Sequence, residues 1–145
     1  MISVMKESED FLNLKLTLSP KEKEECISVA LEIIKLSDKV QKNGISLLDK
    51  DFPTENNFIK IGISLLVNCA SAEVIEKIFR YHSMFNEQTG VSLLTKLLIV
   101  EGLTAIYEEY TPFLMAHLMA SIMGEEHLST FLSVINKDDY NETWV

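Results

Sequence analysis

The fold is decided by the stretch from residue 91 to residue 110, which reads VSLLTKLLIVEGLTAIYEEY. Its apolar residues recur at spacings of three and four, which is the period of an α-helix, and its carboxylates follow the same period. The positions that show this alternation are Leu94, Leu97, Leu98, Glu101, Ala105 and Glu108. The pattern predicts one long helix that buries one face in a hydrophobic core.

Clear start and stop signals for further helices lie on both sides of this stretch. Ser19, Pro20 and Glu22 form a capping box with proline at the first helical position, and Gly44 can end the helix that follows. Other starts are predicted at Thr54-Glu55, Ser71-Ala72-Glu73, Thr111-Pro112 and Glu125-Glu126. We therefore predict an all-α protein, a compact single-domain bundle of about five to six helices over residues 19–136, with an acidic C-terminal tail over residues 137–145.

The N-terminal segment, residues 1–18, has a different pattern. Leu12, Leu14, Leu16 and Leu18 alternate with polar residues, which is the period of a strand. Since one strand cannot form a sheet alone, we predict an extended arm. The arm either lies along a groove between helices or pairs with another chain, and in the second case its four leucines are candidate partner contacts.

Composition limits the classes of function. The 145 residues carry a net charge of −9 at pH 7, which argues against nucleic acid and anionic membrane surfaces. A hydrophobic content of 47% indicates amphipathic elements that could leave an apolar patch for a partner. No signal peptide is visible, and Lys96 and Glu101 interrupt the longest apolar run, so we expect no membrane span and a cytoplasmic location.

Residues that could carry chemistry are few. The sequence has no phosphate-binding glycine loop, no GxSxG and no HExxH, and no glutamate stands three residues before any histidine. We expect no enzyme activity, no cofactor and no metal at His82, His117 or His127, and we expect His117 to lie in the core. Two cysteines without a CxxC pair favour a reducing compartment.

Three methionines recur at a spacing of four, at Met115, Met119 and Met123. Packing in the core is the simpler interpretation of this stripe. Methionine side chains also adapt to varied partners, so a binding surface is the alternative.

Two regions resemble a known family. The stretch from Val40 to Asp49 reads VQKNGISLLD and resembles the pattern A-R-K-x-G-L-L-x-L-E of MotA-type flagellar stator subunits. Phe58, Gly62 and Leu65 follow, and residues 67–75, VNCASAEVI, are similar to the same family's V-D-G-x-D-P-E-x-I. The second region, residues 98–108, reads LIVEGLTAIYE and resembles its L-I-x-E-G-I-L-A-I-Q-E, with Pro112 after it. The order is that of the family.

The resemblance implies a stator cytoplasmic region without its channel. In the family, two membrane helices lie between these regions, and they would need ~40 apolar residues, whereas only residues 79–97 stand between them here. The family engages the rotor through a basic and an acidic residue near the first pattern. Asp49 stands at the acidic position, and Gln41, with Lys42 beside it, stands at the basic one, which argues against direct torque transmission.

These observations give two hypotheses for function. The first is a non-enzymatic flagellar motor accessory protein that binds stator subunits and acts as a chaperone before their assembly, associated with the inner face of the membrane through that partner. The second is a rotor-side or regulatory adaptor that competes at the stator docking surface. Gln41, Lys42 and Asp49 are the candidate contacts in both, and a homo-oligomer is compatible with either.

Overall fold

Six α-helices form one bundle in the computed structural model, which describes residues 18–48, 52–85 and 90–135. The helices are α1 (Pro20–Asn43), α2 (Asn57–Val67), α3 (Ala72–Phe85), α4 (Gly90–Tyr107), α5 (Pro112–Met123) and α6 (Leu128–Ser133). Short 3-10 turns over Ile45–Leu47 and Glu125–His127 follow α1 and precede α6. The described residues contain no strand, so the all-α prediction is confirmed. Most of the predicted arm (residues 1–17), the tail (137–145) and Asp49 lie outside the described residues.

Helix starts follow the predicted capping residues in three cases. Ser19 Oγ accepts a hydrogen bond from the backbone N–H of Glu22 at 3.2 Å, and Glu22 Oε1 accepts one from Ser19 N–H at 2.9 Å, which completes the capping box. Ser71 Oγ and Thr111 Oγ1 likewise accept from backbone N–H groups three residues later, at 3.2 and 3.3 Å. These local signals therefore set the beginnings of α1, α3 and α5.

The predicted start of α2 is wrong by a few residues. The helix begins at Asn57, and Asn56 Oδ1 caps it by accepting from the N–H groups of Phe58 and Ile59 at 2.9 and 3.1 Å. Thr54 Oγ1 instead donates to Glu32 Oε1 at 2.8 Å and accepts from Asn56 N–H at 3.1 Å. Thr54 thus joins the connecting segment to α1 and leaves the cap to an asparagine, an equally good capping residue.

Helix α4 is the centre of the bundle and packs against α1, α2, α3 and α5. Its length and apolar composition would suffice to cross a membrane, yet half of its most apolar stretch is buried by its neighbours. Four of its side chains are fully buried, namely Leu94, Leu98, Ile99 and Leu103. The core helix of a folded bundle accounts for this composition.

Two glycines allow the helices to approach α4 closely. A Cβ atom at Gly102 would overlap the side chain of Ile33 in α1, and one at Gly62 in α2 would overlap Leu103. Gly62 and Gly102 belong to the two regions that resemble the stator family. The two regions lie in one bundle, because α2 and α4 meet at Gly62 and Leu103.

Lys96, which interrupts the apolar run of α4, does not mark a solvent-facing side of the helix. Only 3% of its surface is exposed, and its Nζ lies 4.3 Å from the centroid of the Phe58 ring. The face of an aromatic ring attracts a cation and offsets part of the cost of burying it. Burial nevertheless lowers the pKa of Lys96.

Candidate functional site

The most distinctive surface feature in the described part of the chain is an acidic cleft of about 690 Å³ between α3, α4 and α5. Its lining combines four glutamates, one arginine and a few small or apolar side chains. The lining residues are Ala72, Glu73, Glu76, Arg80, Glu101, Thr104, Ala105, Glu108, Tyr110 and Leu118. We call it the Glu101 cleft, after the half-buried glutamate of its α4 wall.

Helical periodicity explains why these side chains converge. Glu101 and Ala105 lie on α4, and Glu108 directly follows its last residue, with its backbone N–H still donating to Thr104 O at 3.0 Å. Their spacings of four and three place all three on one face. Glu76 and Arg80 are four residues apart on α3 and share the face that meets them. On the α4 wall, Thr104 is buried, and its hydroxyl donates a hydrogen bond to the backbone oxygen of Glu101 at 3.0 Å. The two walls therefore hold their charged groups towards each other.

The surroundings of Glu101 disfavour its ionised form. Burial raises the pKa of Glu101, and the nearby carboxylates of Glu76 and Glu108 raise it further. Within the described residues, no hydrogen bond or ion pair satisfies the side chains of Glu73, Glu76, Glu101 or Glu108. A half-buried carboxylate favours the arrival of a cation or of a hydrogen-bond donor.

One edge of the cleft is apolar. Tyr110 is 40% exposed and Leu114 is 48% exposed, which is high for side chains of this size. Leu118 lines the cleft and lies one helical turn after Leu114 on the same face of α5. We call Tyr110, Leu114 and Leu118 the apolar rim. The surface therefore combines negative charge with exposed apolar area.

The residues predicted to contact a stator or rotor partner are not part of this cleft. Gln41 and Lys42 are exposed in the last turn of α1, where Lys42 Nζ lies 3.2 Å from Asp38 Oδ2 one turn earlier. Neither residue lines the Glu101 cleft. Asp49, their predicted companion, is outside the described residues, so the grouping of the three stays a prediction.

The methionine stripe and Leu18 are buried in this fold. Met115 and Met119 are fully buried, and Met123 and Leu18 are nearly so. For the stripe, the core interpretation is confirmed and the binding-surface alternative is wrong, because α5 turns its methionines towards the hydrophobic core that it shares with α1. Leu18 packs into the same core rather than facing a partner.

Leu12, Leu14 and Leu16, the other leucines of the arm, lie outside the described residues. Their pairing with a second chain stays a prediction.

The histidines occupy three different surroundings. His82 is half-buried and lies edge-on to Phe58 at 6.0 Å between ring centroids. Our expectation for His117 is wrong, since it is exposed and its ring lies 4.7 Å from that of Phe113. His127 Nε2 lies 3.6 Å from Glu126 Oε1, an ion pair only when the histidine is protonated. No cluster of three metal-binding side chains occurs in the described ranges.

Sequence reasoning predicted none of the ten lining residues as partner contacts, and Glu76, Arg80, Tyr110 and Leu118 are among those it missed. A usable signal existed for the first two, since their spacing of four places them on the same face of α3 as Glu73. No pattern in the sequence shows which face of α3 meets α4. The convergence of these residues with Glu101 is visible only in the folded chain.

Comparison with models of known families, with curated proteins and with solved structures gives no match. The resemblance to stator subunits therefore rests on its short sequence patterns alone.

Proposed function

We propose that this chain is a non-enzymatic accessory protein of the flagellar motor, which binds stator subunits and protects them, as a chaperone, before assembly. The observation that carries the proposal is the composition of the Glu101 cleft. Six of its ten lining residues belong to residues 67–75 and 98–108, which resemble the stator family. They are Ala72, Glu73, Glu101, Thr104, Ala105 and Glu108.

A shared surface supports a role in binding better than a remnant of a channel does. The two stretches are separated by more than twenty residues, and α3 and α4 place them on opposite walls of one cleft. Glu76 and Glu101 hold half-buried carboxylates in this cleft, and half-buried charges cost stability unless another group compensates them. A binding partner that neutralises these carboxylates would compensate this loss of stability.

The proposal gives the protein a place in the cell. A stator subunit exposes its cytoplasmic region on the inner side of the membrane, so an accessory that binds there acts in the cytoplasm, against the membrane's inner face. The partner supplies the membrane attachment. This location is part of the proposal and follows from the partner.

The decisive experiment is deletion of the gene followed by measurement of motility and of stator protein level. We expect both to fall while flagellar filaments still assemble, because an unprotected stator subunit is degraded before it is used. The deletion strain should be restored by the wild-type gene but not by a Glu76→Lys/Glu108→Lys variant, which reverses charge in the cleft. A Glu24→Lys/Glu55→Lys variant is the matched control, since both residues are exposed and outside the cleft.

Two results would contradict the proposal. Unchanged stator abundance with normal motility would leave no role for the protein in stator maintenance. Equal restoration by the cleft variant and the control variant would separate the function from the Glu101 cleft.

The rotor-side adaptor remains the second candidate because Gln41 and Lys42 are exposed at the end of α1, where the family pattern places rotor contacts. Loss of such a competitor should leave stator level unchanged and raise motor output. Purification of the tagged protein from cells separates the two, since stator subunits or rotor proteins would accompany it. Charge reversal at Asp49 should weaken that association only if the family's docking face is reused.

A further inference from the structure

We infer that the Glu101 cleft and its apolar rim together receive a basic, amphipathic helical segment of a partner protein, with an arginine or lysine entering between Glu76 and Glu101. This inference deepens the proposed function by stating the chemistry of the partner. Its test does not require the partner to be a stator subunit.

Charge complementarity identifies the occupant as basic. The cleft is lined by four glutamates and one arginine, Arg80, so its potential is negative even inside an acidic chain. Glu101 is half-buried, and Glu76 faces it from the other wall of the cleft. A guanidinium carries five donors in a planar fork that can bond to carboxylates from two sides. One arginine could therefore satisfy both groups.

The apolar rim identifies the occupant as part of a protein rather than a small cation. Tyr110, which lines the cleft, and Leu114, one helical turn before Leu118, expose nearly half of their surface. A polyamine interleaves its methylene groups with ammonium groups and has no separate apolar face to cover them. An amphipathic helix offers apolar side chains one turn from its basic ones. The tyrosine ring can also stack against a cation.

A metal ion is a poor fit for the same cleft. Divalent cations need several oxygen ligands at about 2.0–2.6 Å. Among the described residues, no three carboxylate, histidine or cysteine side chains come close enough to hold one. The carboxylates are spread along two helices, which suits a segment that lies along them.

The size of the cleft agrees with this occupant. A volume of about 690 Å³ lies within the usual range for binding sites and exceeds the volume of one arginine side chain.

The inference is tested by calorimetric titration of the full-length protein with synthetic peptides of about 18 residues, long enough for roughly five helical turns. The first peptide carries arginines on one helical face and leucines on the other. The second replaces the arginines by glutamates, and the third replaces the leucines by serines. We expect measurable binding of the first, no binding of the second, and weaker binding of the third.

Variants of the protein locate the site. Glu76→Gln/Glu101→Gln should lower the affinity for the first peptide by roughly five- to thirty-fold, which corresponds to a loss of about one or two kcal/mol of interaction. The charge-matched control, Glu24→Gln/Glu55→Gln, should change affinity little, because both residues are exposed elsewhere. Leu114→Ser should weaken binding, whereas Leu93→Ser, at a similarly exposed leucine outside the cleft, should not.

The result that overturns the inference is equal weakening by the two glutamate double variants, since that shows general attraction to an acidic protein. Binding of spermine as tight as that of the first peptide would also overturn it, in favour of a small cation. If the peptide fails but stator subunits still co-purify with the protein, the proposed function survives and the stated partner chemistry does not. If the peptide binds but stator subunits do not co-purify with the protein, the basic, amphipathic partner is supported and the stator partner is rejected.

Discussion

Replacement of Gly102 by alanine is expected to strain the packing of α4 against α1. A Cβ atom at position 102 would overlap Ile33 Cγ2 and stand 3.4 Å from Ile33 Cβ and Cγ1. Ile33 is fully buried and β-branched, so in a helix it has one strongly preferred rotamer and cannot turn away. The two helices must move apart, and overpacking of this kind costs about 1–3 kcal/mol.

The single variant alone cannot measure this strain. Alanine is about 1 kcal/mol better than glycine inside a helix, so the net loss for Gly102→Ala is about 0–2 kcal/mol. In an Ile33→Ala background the overlapping methyl group is absent. There, Gly102→Ala should stabilise the protein by about 1 kcal/mol relative to Ile33→Ala alone. The double-mutant cycle should therefore show an interaction energy of about 1–3 kcal/mol between the two positions.

Urea unfolding followed by far-ultraviolet circular dichroism measures all four proteins, and similar m-values would justify the comparison of their free energies of unfolding. Gly62→Ala is a useful companion, because its Cβ would meet the terminal methyl groups of Leu103, which yield more easily than Ile33 Cγ2. Gly62→Ala should therefore lower the free energy of unfolding by less than Gly102→Ala does. If Gly102→Ala were equally stabilising with and without Ile33, the close contact between α1 and α4 would be refuted.

Three further predictions follow from single residues. Because burial raises the pKa of Glu101, the contribution of this residue to stability falls as the pH rises from about 4.5 through the folded-state pKa. In urea unfolding, Glu101→Gln should be more stable than wild type at neutral pH but gain nothing below pH 4.5; Glu55→Gln, at an exposed position outside the cleft, is the matched control. Burial, with two nearby glutamates, raises the pKa of Cys26 to about 11, so mass spectrometry should find iodoacetamide on exposed Cys69 first and on Cys26 only after unfolding. Glu109 has a φ of 66°, so in the same unfolding assay Glu109→Gly should stabilise by about 0.5–1 kcal/mol, while Glu109→Ala should not.

Local signals in the sequence predict most of the helix boundaries. The capping box at Ser19 and Glu22 and the Thr111-Pro112 start need only a few neighbouring residues, so the sequence contains all the information. The prediction for the start of α2 is wrong because a distant residue, not a neighbouring one, decides it. Thr54 donates a hydrogen bond to Glu32, which lies 22 residues earlier, and no local pattern in the sequence predicts that bond.

Which face of an apolar helix is buried was harder to predict than where the helix begins and ends. In α5 the apolar residues lie almost all round the helix, so periodicity could not show that Met115 would be buried and His117 exposed. In α4, burial of Lys96 depends on the ring of Phe58 from another helix. The Glu101 cleft depends likewise on which face α3 turns to α4, and only tertiary packing decides that.

Glu101 and Gly102 are neighbours in one sequence pattern, but only one of them is explained by the fold. Gly102 is required by the close approach of Ile33, and any bundle with this packing would select it. Glu101 has no such reason, because its carboxylate is half-buried near Glu76 and Glu108 and its pKa is raised by that environment. A glutamine would fit the same space without the charge. The described residues therefore give a packing reason for Gly102 but none for the charge of Glu101, which is what a binding role for Glu101 predicts.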